Sequence, residues 1–445
     1  MHKKIFLLFL PFAFLGCPTS PDCEPNCTAD PDQEPQEQVP SYDDTCWGQL
    51  YANSTPISSW SNQGCLDEIV LDTDIPLIGE AGEMQVHLDA DFDGEQLYLV
   101  YNTANTETED MGIRGRTLKC NGTLGTEVQI NDEQRLFTDP QIAVNSDEIM
   151  VLWQRDIPEL GPHNLDVLVQ ALSKEYTPLT TENHVLEMER NGVPEIKNAW
   201  MTAVTPARQG LYWSFGARGH DEATTFQIFG QALDSQGVPL CDSLDLNFAP
   251  EIGQVYPVAD AKGAHVLVAW ESNEEQGTEI QYIYANGGSL HLATQESTTV
   301  QGDAQRPAVA LSPDGTKSAL AFFTQSGSSN KVFLLHPQHS ENIIQVGNPA
   351  KSAHSPAVAL GDNGGMVFWL ENLSGIKNNA YYQAFHWQED RYVLVGIATQ
   401  IESDKVLPYA PLMLHLGAEH YFMGWMAGDH PNYQAFGRFV VASEL

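Results

Sequence analysis

Leu211-Tyr212-Trp213, then Gln227-Ile-Phe-Gly-Gln-Ala-Leu-Asp-Ser-Gln-Gly-Val-Pro-Leu240, then Cys241-Asp-Ser-Leu-Asp-Leu246 form the stretch on which the fold turns. An apolar run ending in an aromatic is followed by a polar loop and a second apolar run carrying Gln231-Ala232. The turn Asp234-Ser-Gln-Gly237 and a short last run complete the unit, with turn residues between runs of strand length. The same order recurs outward in both directions. Apolar runs ending in an aromatic appear as Leu97–Tyr101, Met150–Trp153, Leu211–Trp213, Val266–Trp270, Ala319–Phe323, Met366–Trp369 and Tyr421–Trp425. Their last aromatics are 52, 60, 57, 53, 46 and 56 residues apart by subtraction from Tyr101 onward, which makes seven units.

Ahead of several of these runs stands a Pro-led apolar segment, at Pro140, Pro257, Pro307, Pro356 and Pro411. Proline is tolerated at the first residue of a strand, where it costs no ladder donor. Turns such as Pro313-Asp314-Gly315 and Asp362-Asn363-Gly364 join this segment to the aromatic run with hairpin chemistry. Each unit therefore reads as a four-stranded antiparallel meander. Seven such meanders without a 3.6-residue amphipathic period predict an all-β chain folded as a seven-bladed β-propeller. A solenoid has shorter repeats, and a string of sandwiches needs about 100 residues per unit. The segment from about Met84 to the C-terminus resembles the tandem propeller repeats of exported bacterial proteins.

The ends predict how the ring closes. Asn432–Phe439 aligns with Thr225–Ala232, so the chain stops after a third strand. Cys65–Leu71 resembles Cys241–Leu246, a fourth strand lacking the three before it. The N-terminal strand is expected to complete the last blade and remove its exposed edge. The domain reading is then 1–16, 17–44 and 45–445, with 45–83 the closing segment and 84–445 the blade repeats.

Residues 1–16 run from Lys3-Lys4 through the apolar Ile5–Leu15, the pattern of a secretory signal. Phe14-Leu15-Gly16-Cys17 resembles the bacterial lipobox, which implies a lipidated Cys17 and, with Pro18 after it, the outer membrane or cell surface. Residues 17–44 hold Pro and acids with few large apolar side chains, a tether by composition. No Lys or Arg lies between Lys4 and Arg114, so membrane attachment would rest on the lipid alone. Six cysteines remain: Cys23, Cys27, Cys46, Cys65, Cys120 and Cys241. In an oxidising compartment they suggest disulfides with fifteen possible connectivities. Proximity favours Cys23–Cys27 and Cys46–Cys65, leaving Cys120–Cys241.

The whole chain has 445 residues, with 21 Lys and Arg against 59 Asp and Glu, a formal charge of −38. That excess argues against nucleic acid, whose phosphates need neutralising cations. A cationic partner or a divalent metal suits it better, and the partner expected is a protein, glycan or cell-envelope component, met by a monomer. The loops after the second strands collect acids on one face, among them Asp156, Asp221, Glu271 and Asp429, and variable loops on a rigid scaffold are where binding resides. Acids spread for solubility give the same composition. Asp89-Ala-Asp91-Phe-Asp93-Gly94 is similar to the calcium loop of EF-hands and integrin-type blades, which makes Asp89, Asp91 and Asp93 candidate calcium ligands. No Glu stands at its twelfth position, and a plain hairpin turn is the competing reading. Nucleophile-elbow, zinc-protease, phosphate-loop and dinucleotide motifs are missing, so no catalytic residue is singled out. The expectation is a surface-tethered, non-enzymatic binding module. An exported carbohydrate hydrolase using carboxylates near the channel is the alternative.

Overall fold

The computed structural model describes residues 46, 50, 55, 57, 63–77, 83–105, 111–131, 137–156, 165–186, 188–190, 193–195, 199–219, 226–246, 252–274, 277–286, 290, 296–298, 303–326, 329–374, 377–406, 411–429 and 432–442. The chain divides into units 1–42 and 43–445, and every described residue belongs to the second. The signal segment, Cys17, the tether, Cys23 and Cys27 lie outside the described residues.

The described residues form seven four-stranded antiparallel blades. Blade 3, the template of the sequence reading, comprises Ala199–Arg208, Leu211–Gly219, Phe226–Asp234 and Leu244–Asp245. The first strands of the other blades are Glu83–Phe92, Phe137–Val144, Gly253–Lys262, Asp303–Leu311, Ala353–Leu360 and Leu412–Gly417. Each first strand packs against the next, and the first strand of blade 1 packs against that of blade 7, so the seven line a central channel. Blade 5, the most degraded in sequence, is nevertheless complete, from Asp303–Leu311 to Ile344–Val346. A small hairpin, Met188–Arg190 with Val193–Glu195, is inserted before blade 3.

The second strands carry the core. Tyr101, Trp153, Trp213, Trp270, Phe323, Trp369 and Trp425 are all buried, as inter-blade packing requires. Each fully buried large apolar side chain contributes about 1.5–3 kcal/mol, and the repeat supplies one such wedge per blade. Where a ring must pass close to a third strand, the strand has Gly. A Cβ at Gly437 would lie 2.4 Å from the Phe422 ring, and one at Gly115 2.3 Å from the Tyr176 ring.

The N-terminal closing strand exists, but it is Ile75–Pro76 rather than Cys65–Leu71. Ile75 pairs with Gly437 and Pro76 with Phe436, as Leu244 and Asp245 pair with Gly230 and Phe229 in blade 3. Leu77 N–H then donates to the Ala435 carbonyl, as Leu246 does to Ile228. The matched cysteines misled the alignment. The inward Leu-x-Leu of blade 3 corresponds to the buried Ile75 and Leu77, whereas Cys65 lies in a short helix, Gln63–Glu68.

The disulfides differ for a related reason. Cys46 bonds to Cys241 and Cys65 to Cys120, so the pairing by proximity, Cys46–Cys65 with Cys120–Cys241, is crossed. Loop closure grows costlier only slowly with length, so nearness in sequence is a weak guide. The segment ahead of the closing strand is pinned to blade 3 at one cysteine and to blade 1 at the other.

Candidate functional site

Six of the seven described first strands carry an irregularity at one register. The ladder slips between Val86 and Leu88, Thr138 and Gln141, Trp200 and Thr202, Val255 and Val258, Gln305 and Ala308, and His354 and Ala357. At each slip one non-glycine residue has positive φ: His87, Asp139, Met201, Tyr256, Arg306 and Ser355, all between 48° and 57°. These are β-bulges, and they recur next to functional sites because they re-aim a side chain. Proline follows the bulge residue in four of them, so the repeated Pro marks a bulge inside the strand and not its first residue. The bulges lie toward the start of each strand, on the side of the ring where the loops after the second strands emerge.

Four of the bulge residues form two pairs. His87 Nδ1 lies 2.7 Å from Asp139 Oδ1, with 44% and 29% of the two side chains exposed, so both face solvent at the channel mouth. Gln154 Nε2 donates to the other Asp139 oxygen at 3.1 Å. Across the channel, the Arg306 guanidinium lies 3.7 Å from the centre of the Tyr256 ring and donates to its hydroxyl at 3.0 Å. Its backbone N–H donates to Glu271 Oε1 at 2.7 Å. Arg306 also acts electrostatically on His87 and on Asp139, which joins the two pairs into one site built from blades 1, 2, 4 and 5.

The environments pull the titrating groups apart. Burial opposes the His87 charge, but the Asp139 carboxylate outweighs it and raises the imidazole. Burial pushes Asp139 up, yet His87 and the Gln154 hydrogen bond hold it below the usual carboxylate range. Burial also raises the Tyr256 phenol against the pull of Arg306, so it stays a proton donor. Glu271, buried, is pushed up to about 7 by desolvation despite the Arg306 N–H and charge. An ionised carboxylate, an imidazole, a protonated phenol and a carboxyl raised toward neutrality thus share one mouth, the division that acid–base chemistry requires.

The sequence candidates fare unevenly. Of the four acids on the proposed loop face, Glu271 belongs to this site, buried beneath Arg306 rather than displayed. Asp156 and Asp429 end their second strands, and their side chains, like Asp221, lie outside the described residues. Asp89, Asp91 and Asp93 do not converge. Asp89 accepts from Ile142 N–H and Asp91 from Val144 N–H, both at 2.7–2.8 Å on the next blade. Asp93 accepts from Glu95 and Gln96 N–H in the hairpin turn, and from the Tyr98 hydroxyl. Among the described residues no group of three or more His, Cys, Asp or Glu is placed to hold a metal ion. The sequence reading passed over His87, Asp139, Tyr256 and Arg306; the residue before each repeated Pro was the signal that points to three of them.

No protein-family model and no curated protein matches the sequence. Among solved structures, the chain is similar to an ulvan lyase, a polysaccharide lyase, with TM-score 0.52 and 8% identity over 82% of this chain and 95% of that one. It is also similar to the β-propeller domain of the Trilobed protease from Pyrococcus furiosus, with TM-score 0.46 and 8% identity over 81% and 94% of the two chains. A Trypanosoma rangeli sialidase gives TM-score 0.43 and 7% identity over 75% and 58%. At such identities the likeness is one of fold, a β-propeller, and function has to be argued from the site.

Proposed function

We propose that the protein is a glycan-cleaving enzyme, exported and held at the outer membrane or cell surface through Cys17, with its reaction centre at the bulge ring of the channel mouth. The observation that carries this is the convergence of the His87–Asp139 and Tyr256–Arg306 pairs from four blades. Breaking a glycosidic bond needs a proton delivered to the leaving oxygen and another taken up elsewhere. His87 is the exposed proton carrier, and Asp139 is its positioning residue, fixing the ring and stabilising its charged form. The Tyr256 hydroxyl is the second proton-bearing group, oriented by Arg306. Glu271 holds the Arg306 backbone from below. Among the described residues the mouth presents no pair of opposed carboxylates of the usual glycosidase kind, since Asp139 is bound to His87 and Glu271 is buried.

The test is a polysaccharide panel incubated with the full chain and with His87→Ala, read by new chain ends. Cleavage by the native protein that His87→Ala loses supports the reading. Binding without cleavage would replace it with the non-enzymatic module, and cleavage indifferent to His87 would move the centre elsewhere.

A further inference from the structure

Arg306 differs from three other described arginines, each held by a carboxylate, in what its guanidinium does. Arg114 pairs with Glu127, Arg155 with Asp166 and Arg438 with Asp74. Arg306 is exposed at the mouth, and among the described residues no carboxylate forms an ion pair with it. In a chain with 59 acids, this cation is held by a phenol instead. Its ring stacking on Tyr256 and its backbone bond to Glu271 fix it at both ends. The carboxylate nearest in kind, Asp139, is already bound to His87 and Gln154. A guanidinium fixed in this way presents paired N–H donors that match the two oxygens of a planar anion. The second positive group of the mouth, His87 when protonated, faces the same opening. In a chain of net charge −38, two cationic groups at one opening suit an anionic ligand there.

Building on the glycan-cleaving reading, we propose that the ligand is an acidic saccharide and that Arg306 is the specificity-determining residue, receiving the carboxylate or sulfate of the sugar bound at the mouth. A carboxylate and a sulfate share this chemistry, and the ligand set separates them. The full chain, Arg306→Gln and Arg306→Lys are titrated calorimetrically with an oligogalacturonate, a sulfated galactan oligomer and a neutral galactan oligomer. Melting temperatures confirm that the variants fold. The expected result is that at least one charged oligomer binds, that the neutral one binds at least tenfold more weakly, and that Arg306→Gln abolishes the difference while Lys restores part of it. Equal binding of charged and neutral oligomers, or charged binding unaffected by Arg306→Gln, overturns the proposal.

A smaller probe covers the case in which no oligomer binds. Galacturonate and inorganic sulfate are added to protein labelled at histidine, and the His87 resonance is followed. Absence of any shift in the native protein, or the same shift in Arg306→Gln, also overturns the proposal. A neutral polysaccharide cleaved in a His87-dependent way would sink the anion assignment and leave the enzyme standing. Anion capture at Arg306 with no glycan cleaved would do the reverse.

Discussion

Above and below the bulge, the inner strands and their hairpin partners put acids to opposite uses. Below it, an acceptor four residues after the bulge residue reaches across to the next blade. Asp91, following His87, accepts from Val144 N–H; Thr205, following Met201, accepts from Ala261 N–H; Asp260, following Tyr256, accepts from Leu311 N–H. Inner strands of neighbouring blades share no ladder, so these N–H groups need partners from side chains. Asp89 adds one more such bond, to Ile142. Above the bulge no acid spans blades in this regular way. Asp139 bonds to an exposed imidazole, and Glu271 supports the backbone of an exposed arginine. One set of carboxylates holds the ring together and the other conditions its mouth, although both belong to the same three blades.

That contrast makes a double dissociation. His87→Ala is expected to cost the largest effect, about 10²–10⁴-fold in turnover, the usual worth of a general acid–base group, with the melting temperature nearly unchanged. Asp91→Ala is expected to do the opposite. It leaves the Val144 N–H without its acceptor and costs about 1–3 kcal/mol of stability, with kcat retained in the folded fraction. Asp91→Asn should recover most of that loss, because an amide oxygen accepts as well and the Thr205 hydroxyl already serves at the equivalent place in blade 3. Chemical denaturation and turnover on one set of samples check both. Loss of turnover without loss of stability in Asp91→Ala would erase the distinction between the two sets.

How far the sequence leads differs between the same two regions. Apolar runs ending in an aromatic repeat because every blade must fill the same wedge, so fold and blade number are visible in Tyr101, Trp153 and their counterparts. The mouth has no such repetition of residue type: its bulge positions hold His, Asp, Met, Tyr, Arg and Ser. What recurs there is backbone geometry, a positive φ, and its faint trace is the Pro that follows Asp139, Tyr256, Arg306 and Ser355. The clamp region is ambiguous in sequence in another way. Asp89, Asp91 and Asp93 alternate as ion ligands would, but a period of two is also how a strand places side chains on one face, and here Asp89 and Asp91 are turned toward blade 2.

A smaller effect sharpens the mouth side. Asp139 raises His87, so removing its charge with Asp139→Asn lowers the pH at which His87 sheds its proton. If neutral His87 is the working base, the acidic limb of the kcat/KM profile should move to lower pH while the maximum falls, since the amide still contacts the ring but no longer stabilises its charge. A profile that keeps its limb would mean that His87 does not set it, and the pair at the mouth would be reduced to a structural contact.

The smallest effect falls on the clamp side and concerns Asp89. Burial pushes its carboxyl from 3.8 to about 7, against the Ile142 and Ala90 N–H bonds that favour the ion. Between those values the unfolded chain has released the proton and the folded chain has not. The folded state therefore binds more protons, and stability falls as pH rises from about 4 toward 7, then levels off. Asp89→Asn keeps an oxygen for Ile142 N–H and removes the titration, so its stability should decline less over that interval. Glu271 is also pushed up to about 7 and contributes the same sign, so part of the slope persists in Asp89→Asn and should shrink further in the double variant with Glu271→Gln, the raised Asp91, Glu148 and Asp166 keeping the rest. Denaturation midpoints at a series of pH values decide it. Asp89→Asn following the native slope throughout would show that the clamp carboxyl is ionised in the folded ring, and that its bond to blade 2 is a charged one.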